Sequence, residues 1–111
     1  MPNLANADTG VTILNQLEIA DTFWKRFVGL MFRKALPTDF GIWIKPCKSI
    51  HTMWMRIPID VYFLDRNDVV IGFKENVRPW RIAMAPRNTY SVLEMGCGTI
   101  GIPLQTMIKS S

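Results

Sequence analysis

The nine residues Ile57-Pro58-Ile59-Asp60-Val61-Tyr62-Phe63-Leu64-Asp65 constrain the fold more than any other stretch of the chain. From Ile59 onward the run is rich in branched and aromatic residues, which fit a pleated strand. Ile59, Val61 and Phe63 then share one face, and Asp60, Tyr62 and Leu64 share the other. Asp65-Arg66-Asn67-Asp68 supplies a hairpin turn, with Asn67 or Asp68 able to adopt a left-handed backbone. Val69-Val70-Ile71-Gly72-Phe73 reads as the return strand, apolar on both faces and therefore expected to be central.

Around this hairpin the rest of the chain falls into short pieces. Residues 1–10 are small and polar and are expected to lie loosely on the surface. Apolar residues at 11, 13, 17 and 19 alternate as in a half-buried strand. Asp21 or Thr22 can cap a helix, and Phe23, Trp24, Phe27, Leu30 and Met31 follow at helical spacing until Pro37 ends the pattern. Gly41-Ile42-Trp43-Ile44 is a short strand stopped by Pro46. Pro79 is expected to keep residues 74–81 out of any ladder, and Pro86-Arg87-Asn88 makes a turn. Tyr90–Met95 is a strand, Gly96-Cys97-Gly98 a tight turn, and residues 100–108 a weaker strand interrupted by Pro103. The expected class is α+β, mostly β: one domain over residues 1–111, a mainly antiparallel small barrel or sandwich of about six short strands with one N-terminal helix packed on it.

Composition narrows the function classes. With 49% hydrophobic and 20% charged residues among 111, the chain can bury a core without metal or disulfide staples, and its two cysteines are too few for a disulfide framework. No apolar run is long enough to span a bilayer, and Met1–Asn6 has no leader-like pattern, so the default expectation is a cytoplasmic protein. The net charge of +4 suits an acidic partner, but the basic residues are spread along the chain. A small anionic ligand or another protein is therefore expected ahead of nucleic acid.

Several motifs carry a family resemblance. Arg26-Phe27-Val28-Gly29-Leu30-Met31, the long segment from Cys47 to Asp65, Arg78-Pro79-Trp80-Arg81, and Val92-Leu93-Glu94 with Gly98-Thr99 occur in this order over nearly the whole chain. Together they resemble the domain of unknown function 192 family. The resemblance implies a single compact domain and supports the strands; it assigns no catalytic residue. Some relatives carry an export leader or a membrane anchor. This chain departs from the family pattern at Cys97, where a small apolar residue is usual, and at Ile102-Pro103-Leu104-Gln105, where an acidic turn is common.

Three chemistries are open to the residues themselves. Asp60 can orient the only histidine, His51, with Cys47 as nucleophile, the outline of a cysteine–histidine hydrolase or transferase. Against this stands a purely structural cluster in which His51, Thr52 and Arg56 satisfy Asp60 and knit the loop to the strand. A metal site from Cys47, His51, Asp60 and Cys97 lacks the paired ligand spacing of zinc sites, so no metal or other cofactor is expected. Finally, Trp54 and Trp80 among Arg78 and Arg81 can stack on a ring while guanidinium groups hold an anion. The leading expectation is a small ligand-binding or accessory module without catalysis. The Cys47–His51–Asp60 enzyme is the alternative, and a weak anionic-ligand or nucleic-acid binder through Arg78, Trp80 and Arg81 the third.

Overall fold

The computed structural model describes residues 2–22, 35–47, 49–51 and 56–110, and over these the chain is built from ten strands and no helix. They are β1 (Leu4–Asn6), β2 (Thr12–Leu14), β3 (Gln16–Ala20), β4 (Phe40–Ile44), β5 (Ser49–His51), β6 (Ile59–Leu64), β7 (Val70–Val77), β8 (Ile82–Met84), β9 (Ser91–Gly96) and β10 (Ile108–Ser110). Three sheets result: five strands in the order β3-β4-β9-β6-β7, three in the order β10-β1-β2, and the β5-β8 pair. The α+β expectation is thereby corrected to an all-β architecture. The segment on which the helix was placed, residues 23–31, lies outside the described residues.

Other expectations are also revised. The alternating stretch from Val11 to Ala20 is two strands in different sheets, broken at Asn15. The break lets β3 run parallel to β4, with Leu17 opposite Gly41 and Ile19 opposite Trp43. Residues 4–6, expected to lie loosely, form the middle strand of the three-stranded sheet with Leu4 fully buried. The return strand β7 is an edge of the five-stranded sheet, and β9 is its centre. Pro79 does not keep residues 74–77 from pairing, because β7 continues to Val77.

Alternation along β6 behaves as its residues dictate. Ile59, Val61 and Phe63 join Ala20, Phe40, Ile42, Ile44 and Val92 in one apolar cluster. Tyr62 and Leu64 join Trp43, Leu93 and Met95 in a second, closed from outside by Leu4, Leu14 and Ile108 of the three-stranded sheet. Every residue of β6 is buried, which explains why neither face could carry the usual polar complement of an exposed sheet. Two polar pins hold this interior. The Trp43 indole donates to Ser91 Oγ at 2.9 Å, and the Tyr62 hydroxyl donates to the Ile100 carbonyl and accepts from the Ile102 amide.

Gly41 of β4 lies under the three-stranded sheet with no room for a side chain. A Cβ there would lie 2.8 Å from Leu14 Cδ1 and 3.3 Å from Leu93 Cδ1. Gly41→Ala is expected to destabilise by about 1–2 kcal/mol, because both leucines are buried and must shift together. Urea unfolding checks this, and an unchanged midpoint would show that the two sheets slide apart freely.

Candidate functional site

Asp60 enters the fold at the start of β6, on the face that carries Tyr62 and Leu64, and is 4% exposed. Its two carboxylate oxygens are engaged separately: Oδ1 accepts from the Asn76 amide and Oδ2 from the Gly98 amide, each at 2.9 Å. Both donors have left-handed backbone, with φ of 54° at Asn76 and 78° at Gly98. Gly98 adopts that conformation without penalty, and Asn tolerates it. The carboxylate thus joins the end of β7 to the turn after β9. Such charge-assisted bonds to backbone amides are stronger than neutral ones.

Cys97 sits beside this clamp on the exposed turn, with Sγ 3.7 Å from Asn76 Oδ1. Partial desolvation, then the charge of Asp60 and a hydrogen bond to it, push the Cys97 thiol above its usual range. It therefore stays protonated at neutral pH, a poor nucleophile.

Cys47 is elsewhere. It packs against the cluster containing Ile59, Val61 and Phe63, on the face of the sheet opposite Asp60, and its amide donates to the Tyr90 carbonyl. Arg56 is exposed. His51 lies on β5 opposite Ile82; its side chain, like Thr52 and Trp54, falls outside the described residues. Among the described residues, Asp60 is held by two backbone amides beside the Cys97 thiol, and the sequence reading passed over the amides because no side-chain identity announces them. Among the described residues, no three His, Cys, Asp or Glu side chains gather as a metal site.

A second buried acid was also missed. Glu94 lies on β9 between Ile42 and Val61 and is 4% exposed. Burial pushes its carboxyl up to about 7. Its place beside Val92 in an apolar run is the only signal the sequence offers.

The remaining candidates lie on and beside β8. Trp80 is 54% exposed and has a φ of 64°, a conformation that costs a bulky residue energy and marks a position held by its surroundings. Two and four residues on, Ile82 and Met84 are 68% and 70% exposed. Period-2 spacing puts both on one face of β8. Arg78, Arg81 and Arg87 are exposed on the same segment. Ile82 and Met84 were missed because an alternating apolar row usually faces a core. Beyond Met84 a groove of about 650 Å³ is lined by Ala85, Pro86, Arg87 and Tyr90 together with Asp65 and Arg66. The Arg66 guanidinium lies over the Tyr90 ring at 4.7 Å, while Asp65 Oδ1 accepts from the Asn67 and Val69 amides.

Comparison with known proteins agrees with this architecture. The model of the domain of unknown function 192 family, described as "Uncharacterized ACR", matches residues 4–103. A UPF0127 protein of Pyrococcus furiosus is 35% identical over 102 residues, covering 87% of this chain and 85% of its own. One from Pyrococcus horikoshii is 33% identical, covering 82% and 81%. Two crystal structures share the fold at 23% identity: a proposed transcription regulator from Sinorhizobium meliloti, with a TM-score of 0.81 over 98% of this chain and 91% of its own, and a protein of unknown function from Novosphingobium aromaticivorans, with a TM-score of 0.80 over 97% and 82%.

Proposed function

The chain belongs to the domain of unknown function 192 family, and we propose that it works as a non-catalytic binding module whose contact surface is the segment from Arg78 to Met84. The observation that carries this reading is the outward pair Ile82 and Met84 on β8 with Trp80 on the turn just before them, each more than half exposed. Contiguous exposed apolar side chains rimmed by charge are the signature of an interaction surface, since a chain with no partner gains by burying them. The reading is also supported by what surrounds the reactive residues. Asp60 spends both oxygens on backbone amides, Cys97 is held as a thiol, and Cys47 packs on the opposite face from Asp60.

The arginines set the sign of the partner. Between Glu75 and Glu94 the chain has three arginines and no acidic residue, so the surface favours an anionic or acidic counterpart. Titration of the isotope-labelled chain with poly-glutamate and, separately, inorganic pyrophosphate is expected to shift backbone amides of residues 78–88 while leaving β4 and β9 unmoved. Shifts centred instead on Cys47 and Asp60, or no shifts with either probe, would remove the support for this surface.

A further inference from the structure

The partner's class follows from how apolar and basic groups are interleaved on this surface. Ile82 and Met84 are exposed on a narrow two-stranded ribbon, and Trp80 is exposed on the turn that leads into it. Side chains that project in this way need a counterpart that yields around them. Arg78, Arg81 and Arg87 accompany them within ten residues, and tryptophan, with its apolar ring and polar N–H, suits a boundary between hydrocarbon and water. The groove beyond Met84 continues the same charge. Two arginines line it, one braced on Tyr90, and the carboxylate of its one acidic residue is occupied by two amides.

Resting on the binding-module reading, we propose that this surface docks on a lipid bilayer carrying anionic headgroups. Trp80, Ile82 and Met84 enter the boundary between headgroups and acyl chains. Arg78 and Arg81 meet lipid phosphates, and the groove between Arg66 and Arg87 receives one headgroup phosphate. An apolar row anchors and a basic rim attracts, the division of labour found in elements that lie in a membrane surface without crossing it. A rigid protein partner would need a preformed cavity for each of the three side chains, whereas a fluid bilayer closes around them.

Sedimentation of the full chain with vesicles tests this. Vesicles with one third phosphatidylserine are expected to bind at least about tenfold more tightly than pure phosphatidylcholine, with binding weakened by raised salt. Ile82→Ser and Met84→Ser, at exposed positions that spare the core, are each expected to weaken binding by about threefold or more. Arg66→Ala and Arg87→Ala are expected to reduce the preference for anionic lipid. Vesicle binding that ignores both serine substitutions would overturn the proposal, as would no vesicle binding at all. If poly-glutamate still shifts residues 78–88 in that last case, the binding-module reading stands and only the bilayer is excluded. A concentration-dependent dimer dissolved by Met84→Ser would assign the surface to a second copy of the chain and likewise overturn the proposal.

Discussion

Asp60→Ala is expected to lower the unfolding free energy by about 2–4 kcal/mol, among the largest effects of any polar substitution in the chain. The cause is local. The Asn76 and Gly98 amides both lose their acceptor, and the methyl group that replaces the carboxylate leaves a gap at a position only 4% exposed. Each stranded donor costs about 1–3 kcal/mol. Asp60→Asn keeps one acceptor oxygen and is expected to lose roughly half as much. Arg56→Ala, at an exposed position, is expected to stay within about 0.5 kcal/mol. Chemical denaturation of the three variants separates the clamp from an ion-pair network: a large loss at Arg56 would mean that the guanidinium, not the amides, is what Asp60 serves. The asparagine variant has a second readout. Without the neighbouring negative charge, the Cys97 thiol should ionise at lower pH, seen as faster alkylation near neutrality.

Raising the pH from 4.5 to 8 is expected to remove about 3 kcal/mol of stability through Glu94 alone. Its carboxyl titrates near 7 in the fold, against an ordinary value of 4.5, because burial between Ile42 and Val61 disfavours the charged form. Between those two values the folded chain holds a proton that the unfolded chain has released, so stability falls as pH rises. The contribution is complete below about 4.5 and gone once pH has passed through about 7. Glu94→Gln cannot ionise. It should match the parent chain near pH 4.5, exceed it by up to about 3 kcal/mol at pH 8, and show a flatter profile between. Urea midpoints for both chains across this range decide the matter; parallel profiles would mean that Glu94 ionises without cost.

These two residues also show where a sequence stops being readable. The strand β6 and its two faces were legible because period-2 alternation is a property of consecutive residues. The turns at Asp68 and Asn88 were legible because Asp and Asn tolerate the left-handed backbone found there, with φ of 63° and 74°. The parallel β3–β4 pair was not, since nothing within Val11–Ala20 distinguishes one long strand from two that part at Asn15. Nor was the edge position of β7: an apolar run such as Val69–Phe73 suits a central strand, yet Phe73 is 45% exposed and stacks at a tilt on Tyr62. At the candidate site, sequence reading found Trp80 and its arginines by residue type. Ile82 and Met84 escaped it because an outward-facing row and a core-facing row have the same spelling. The clamp on Asp60 escaped it because its donors are main-chain groups, brought from 16 and 38 residues away.

Strand β1 has one further consequence, for the order in which the chain can be completed during synthesis. Its neighbours are β2, only a few residues on, and β10, with Leu4 opposite both Leu14 and Ser110. Of these ten strands the earliest made thus waits for the latest, and the β10 contribution to the layer over Trp43 and Leu93 cannot form earlier. Until then, apolar residues meant for that interior lack part of their cover. The same adjacency brings residues 4 and 110 side by side. A short linker across them, with new ends opened at the exposed Arg66–Asn67 turn, would let the permuted chain make this closure first and its original central hairpin last.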